Sequence, residues 1–286
     1  MKQRSSVRNW AECLAVQAII GLIASLPQKT SLRLALRIAK LLDLAAPRLR
    51  QAGRENLQRA GYAQPDAIID GNFVSLGRLL HSFAHLPQIN QGNVRRWIDY
   101  EGLEHYEEAK RRGKGVLFAT GHLGNWELSA YAHALLTEPM SFVVRPLDNP
   151  LLDTFVAKRR ALSGNRVIEK KDFARGLLRA LKANEAVGIL VDQNAMANEG
   201  IFVDFFGYPA CTSPVFAKVA ARSGAAVLPG FALWREGRFV LKFYAPLEIT
   251  GVEHEDTQRI QQAVERAIRE YPDQWLWIHR RWKTRP

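Results

Sequence analysis

The stretch "GVLFATGHLGNWELSAYAHALL" (115–136) governs how the rest of the chain is read. Its first six residues form a short apolar run of β type, and the part after Asn125 has helical character. A strand that passes through a glycine-framed loop straight into a helix is the repeating unit of an α/β sheet. In such sheets ligands gather at the loops leaving the carboxyl ends of the strands. This loop carries His122, set between Gly121 and Gly124, with Glu127 five residues further on.

On an ideal helix, residues five apart are separated by about 140°, so the two side chains would not share a face. If Gly121 and Gly124 turn the chain tightly, Asn125 caps the helix and Glu127 falls in its first turn. His122 then folds back over the helix start. Glu127 is expected to accept the imidazole Nδ1–H, leaving Nε2 free to take a proton. The first helical amides add positive potential nearby. An imidazole oriented in this way is a general base, worth about 10²–10⁴-fold. It suits attack of a hydroxyl or amine on an already activated carbonyl. Acyl transfer from a thioester to an alcohol needs no enzyme nucleophile on these terms. The plainer reading, a loop histidine and a solvated acid, stands beside it for any bare His-x4-Glu.

Similar runs recur at "SFVVR" (141–145), "AVGILV" (186–191) and "AAVLPGFAL" (225–233), alternating with helical stretches that begin near Asn125, Asn149, Asp172 and Thr212. "GRFVLKFYAPL" (237–247) has antiparallel character, and a last helix carries Ile260, Val264, Ala267 and Ile268 on one side. The fold class expected is α/β, a central mixed sheet with helices on both faces. Residues 50–87 read as helical.

The N-terminus differs. Residues 10–26, "WAECLAVQAIIGLIASL", form a mostly apolar stretch behind Lys2, Arg4 and Arg8. No small-x-small cleavage site follows, and Glu12 and Gln17 interrupt it, so it does not read as a signal peptide. Its length is at the lower limit for a bilayer span. Next come Lys29, Arg33, Arg37 and Lys40 at helical spacing among leucines. Such a helix either rests on an anionic membrane or packs on its own domain. The expected division is membrane-associating helices over 1–50 and an α/β domain over 51–286.

A formal charge of +12 implies an anionic partner, whether a membrane face, an acidic substrate or nucleic acid. Two cysteines make neither a disulfide framework nor a zinc site. There is no Gly-x-Ser-x-Gly elbow, His-Glu-x-x-His motif or phosphate loop, which sets aside the familiar hydrolase, zinc and nucleotide classes. A nucleic-acid binder remains the non-enzymatic rival, yet it leaves the apolar N-terminus and the His122 turn unexplained.

"GHLGNWE" (121–127) resembles the His-x4-Asp/Glu block of the lysophospholipid acyltransferase superfamily. "FVVRPLDNPLLDTFVAKRR" (142–160), "VGILVDQN" (187–194), "VDFFGYPACTSP" (203–214) and "PDQWLWIHRRWKTRP" (272–286) narrow the likeness. Together they resemble the bacterial lipid A late acyltransferases, the lauroyl and myristoyl transferases. The resemblance implies transfer from acyl carrier protein or acyl-CoA to a hydroxyl of a membrane glycolipid, at the cytoplasmic face of the inner membrane. It implies no metal or bound cofactor and no nucleic-acid partner, with His122 as base and Glu127 as its partner. It also places functional residues at Arg159, with Arg160 the adjacent candidate, and at Asp192.

Arg145, Arg159 and Arg160 are candidates for binding phosphate or an anionic headgroup, since guanidinium suits oxyanions. The alternative is that they sit on solvated faces. Asp192 either orients an arginine or a loop, or serves as a turn residue. Asn125 joins the substrate-site candidates. Phe205 and Phe206 are groove candidates, one expected to line an acyl groove and the other to pack in the core. Trp275, Trp277 and Trp282, interleaved with cations, suit a membrane interface or an acidic carrier-protein dock.

Overall fold

Strand β2 (Val116–Thr120) occupies the middle of the sheet because both of its faces are apolar. Val116 and Phe118 lie on one side and Leu117 and Ala119 on the other, all buried, as alternation requires of a strand covered on both faces. The computed structural model describes residues 5–144, 146–168 and 173–286. In it β2 pairs in parallel with β5 (Ala186–Leu190) and with β8 (Ala226–Arg235). Beyond β5 lie β3 (Met140–Val143) and β4 (Arg166–Ile168), also parallel. Beyond β8 lies β9 (Arg238–Phe243), antiparallel, followed by β1 (Ile98–Glu101). The sheet is therefore mixed and seven-stranded.

Helices cover both faces. On the Phe118 side pack α4 (Pro65–His85), α5 (Leu103–Arg111) and α6 (Trp126–Leu136). On the Leu117 side pack α8 (Phe173–Lys182), α9 (Val215–Ser223) and α10 (Glu253–Glu270). The four apolar runs fall on β2, β3, β5 and β8, and the antiparallel run on β9. Helix α9 begins at Val215 because Thr212 closes a separate hairpin of β6 (Ile201–Phe205) and β7 (Tyr208–Thr212). Asp172, expected near a helix start, lies outside the described residues. Helix α7 (Pro150–Ala161) joins β3 to β4, capped by Asn149, whose oxygen accepts from the Leu151 and Leu152 amides.

The first fifty residues form α1 (Ser6–Ser25), α2 (Gln28–Ala45) and the start of α3 (Pro47–Arg59). Helix α1, with a mean hydropathy of 1.3, is long and apolar enough to cross a membrane; its 20 residues span about 30 Å. Val7, Trp10, Leu14, Ile19 and Leu22 are exposed along it, while Ile20 and Ile23 enter the same core as β2. Helix α2 turns Ser31, Ala35 and Ala39 inward against α4. There Gly77 permits contact so close that a Cβ would sit 2.9 Å from the Leu36 Cα. Lys29, Arg33, Arg37 and Lys40 consequently face outward. Residues of both expected segments, 1–50 and 51–286, thus build one core.

The C-terminal tryptophans are not an interfacial belt. Trp275, Trp277 and Trp282 are buried in a second cluster with Phe205, Phe206, Phe73 and Val264. The indole N–H of Trp277 donates to the Pro272 carbonyl, so its burial leaves no polar group stranded. Helix α3 secures this segment, with the Asn56 amide donating to the Trp277 carbonyl at 2.7 Å and the His279 carbonyl at 2.6 Å. Replacing Asn56 by alanine leaves two carbonyls short of a donor. It is expected to lower the unfolding free energy by roughly 1–3 kcal/mol, read from urea denaturation at an unchanged m-value.

Candidate active site

The loop after β2 is held rigidly through its backbone. The His122 carbonyl accepts from the Leu276 amide at 3.0 Å, Gly124 N–H donates to the Gln274 carbonyl at 2.9 Å, and Asn125 N–H to the Ala232 carbonyl at 2.8 Å. Gly124 has a φ of +66°, and a Cβ there would lie 2.0 Å from the Ala232 oxygen, so only glycine fits. Asn125 caps α6 as expected, its oxygen accepting from the Leu128 amide at 3.0 Å. Its amide donates to Ser82 Oγ at 2.6 Å and the residue is fully buried. Asn125, expected among the substrate-site residues, thus has its side chain buried and engaged in shaping the helix start.

The partner of His122 is Asp192, not Glu127. Nδ1 lies 2.9 Å from Asp192 Oδ1, and the His122 amide donates to Oδ2 at 2.6 Å. Asp192 follows β5, and because β2 and β5 are adjacent and parallel, their outgoing loops meet at one end of the sheet. The Trp275 indole donates to Oδ2 as well, at 2.8 Å. Burial disfavours the Asp192 carboxylate, but the facing imidazole and these hydrogen bonds outweigh it and hold its pKa below the ordinary range. For His122, burial opposes the charged form. Asp192, by charge and hydrogen bond, and Glu127 by charge overcome it, so the pKa is raised above 6.5.

With Nδ1–H directed at Asp192, Nε2 carries the lone pair and faces Gln193, whose amide nitrogen lies 3.2 Å away. The ring packs edge-on against Trp126, with centroids 4.9 Å apart. Glu127, in the first turn of α6, points away to Arg160 in a two-pronged ion pair, with Oε2 2.9 Å from Nε and Oε1 2.5 Å from Nη2. Successive residues on α7 project about 100° apart, so Arg159 and Arg160 part company. The Arg159 guanidinium donates to the Ala84 carbonyl at 3.2 Å at the end of α4 and lies over the Phe155 and Phe83 rings. Of the two, Arg160 meets Glu127 and lines the same cavity, while Arg159 packs against α4. Arg145 lies outside the described residues.

Beside this pair opens an apolar cavity between α6 and the sheet, with about 760 Å³ of empty space, mouth included. Glu127, Arg160 and Thr120 stand at the strand-end level; Phe118, Phe142, Tyr131 and Met140 line its depth. Phe205 and Phe206 do not line it. Both are buried against Trp275 and each other, because the hairpin bearing them packs under the C-terminal segment. Sequence reasoning missed Gln193, Trp275 and the cavity itself. The signal for the cavity was Gly188 inside a β-type run, a common mark of close approach by another group. Among the described residues, no group of three or more His, Cys, Asp or Glu side chains is arranged to hold a metal ion.

Comparison with known proteins places the chain in a family. The pattern of the family described as "Bacterial lipid A biosynthesis acyltransferase" matches residues 1–284. The Escherichia coli (strain K12) protein named "Lipid A biosynthesis palmitoleoyltransferase" is 28% identical over 276 residues, covering 94% of this chain and 90% of that protein. The "Lipid A biosynthesis lauroyltransferase" of the same organism is 26% identical, over 98% of this chain and 93% of that protein. A "Phosphatidylinositol mannoside acyltransferase" from Mycobacterium tuberculosis (strain ATCC 25618 / H37Rv) is 29% identical, over 80% and 76% respectively.

Replacing Asp192 by asparagine removes the larger of the two charges that raise the His122 pKa and leaves the opposing effect of burial set against Glu127 alone. An NMR titration of the His122 ring is expected to give a pKa above 6.5 in the parent and below it in Asp192→Asn. An unchanged value would contradict the pairing.

Proposed function

This chain belongs to the bacterial lipid A biosynthesis acyltransferase family, and from that premise we propose that it moves a fatty acyl chain from a thioester to a hydroxyl of a membrane glycolipid, most simply a lipid A precursor. The donor is acyl carrier protein or CoA bearing the chain, and the reaction takes place at the cytoplasmic face of the inner membrane. The observation that carries the reading is a carboxylate-oriented imidazole packed on Trp126, a residue that lines an apolar cavity together with Glu127 and Arg160.

In the proposed reaction the donor's chain enters the cavity and its thioester stops near Glu127 and Arg160. The acceptor hydroxyl displaces the Gln193 amide from Nε2 of His122. The imidazole takes the hydroxyl proton as the oxygen attacks the carbonyl carbon. Asp192 holds the ring in the required tautomer and stabilises the imidazolium. Collapse of the tetrahedral intermediate expels the thiolate, which recovers the proton from Nε2. Two reactants held together contribute ~7–11 kcal/mol, so the enzyme supplies no nucleophile. Glu127 acts through Arg160, fixing a guanidinium where a phosphate or a developing oxyanion arrives. Helix α1 and the outward cations of α2 serve the membrane contact, giving the +12 charge an anionic surface other than nucleic acid.

Lipids extracted from cells with and without the protein should differ by one acyl chain on one glycolipid species. The same difference on a mannosylated phospholipid instead would move the acceptor to the class in the name of the mycobacterial relative. In purified form, His122→Ala should lose about 10²–10⁴-fold in kcat with folding intact. Full activity in that variant, or a covalent acyl-enzyme trapped in turnover, would sink the mechanism. Because a base must be neutral and this pKa is raised, kcat/KM should climb with pH and level off only above 6.5.

A further inference from the structure

The cavity beneath α6 has a definite floor. Strand register sets its depth: Thr120 is opposite Leu190 at the mouth, Phe118 opposite Gly188 one layer down, and Gly188 opposite Phe142 on its other side. A third layer would hold Val116, Ala186 and Met140. Of these only Met140 lines the cavity. The four-residue descent from Thr120 to this layer is about 13 Å, a depth suited to a medium-length chain.

Met140 closes the bottom by lying across Gly188. A Cβ on Gly188 would sit 2.7 Å from the Met140 methyl, so that methyl occupies space only glycine leaves open. The Met140 backbone is fixed, its amide donating to Asn165 Oδ1 at 2.9 Å, while the Asn165 amide donates to the Ala130 carbonyl at 2.9 Å. The thioether alone is free to adjust, and methionine is the residue best suited to fill an irregular gap. The remaining depth is walled by Phe118, Phe142, Tyr131 and His133. Burial pushes His133 down to about 3, so the wall is uncharged.

We infer that Met140, seated on Gly188, sets the length of acyl chain this protein accepts. The inference rests on the reading that the cavity holds the donor's chain. Shortening Met140 opens the third layer toward Val116 and Ala186; adding a Cβ at Gly188 drives the thioether into the cavity and raises the floor.

The test gives the protein an equimolar mixture of saturated acyl thioesters from decanoyl to palmitoyl, carried on CoA in one reaction and on acyl carrier protein in a second, with a lipid A precursor in mixed micelles. Product chains are read by mass spectrometry. Met140→Ala should shift preference to longer chains, by roughly tenfold in relative kcat/KM for a thioester two carbons beyond the parent's optimum. Gly188→Ala should shift it a similar amount toward shorter chains, and Met140→Leu should stay near the parent profile. Each profile is a ratio within one variant, so a partly destabilised protein still reports. Active Met140→Ala and Gly188→Ala proteins that keep the parent's preference, or lose all lengths equally, would overturn the assignment. Failure of the underlying reading looks different: the parent itself transfers no chain, or transfers all lengths equally.

Discussion

A single buried carboxylate organises this molecule. Asp192 is almost wholly removed from solvent, where an isolated charge would be prohibitive. It is tolerated because three donors converge on it, the His122 amide, the His122 ring and the Trp275 indole. Two donors come from the loop after β2 and the third from the C-terminal segment, so satisfying the charge brings both to the exit of β5, where Asp192 lies. Gly121 is part of the same constraint, since a Cβ there would lie 2.9 Å from the Asp192 oxygen. Loop shape, imidazole tautomer and tail packing are thus one problem with one solution.

What was legible in the sequence was local. The glycine-framed turn, the Asn125 cap and the apolar strand runs all follow from neighbours a few residues apart. The partner of His122 was not, because Asp192 is 70 residues away and is delivered by sheet order, not by spacing. Glu127 has the right chemistry and proximity in sequence, yet an arginine on α7 provides two charge-assisted bonds and draws it off. Arg159 and Arg160 are indistinguishable as letters; helical geometry alone separates a cap on α4 from a residue of the site. The aromatic residues misled for a similar reason. Phe205, Phe206 and the tryptophans look like a surface for lipid until their partners are known, and those partners are mostly each other.

The electrostatic layout divides the work. Near His122, Asp192 pairs with the imidazole and Glu127 with Arg160. The surplus positive charge on α2 lies outside, opposite its packed face. Helix α1 is secured to the body, with the Asn149 amide donating to the Asn9 carbonyl at 2.9 Å. The helix with the most exposed apolar surface is therefore tied to the cap of α7, the helix that carries Arg160.

The clamp on the His122 loop comes from residues 274–276, about 150 positions later in the chain. During translation α6 is complete when about half of this sequence is still unmade. The histidine therefore emerges before Asp192, which holds its ring, and long before the segment that holds its backbone. The clamp closes last, when Gln274, Trp275 and Leu276 emerge and dock. A ribosome stalled upstream of them would leave the His122 loop without the backbone bonds that hold it.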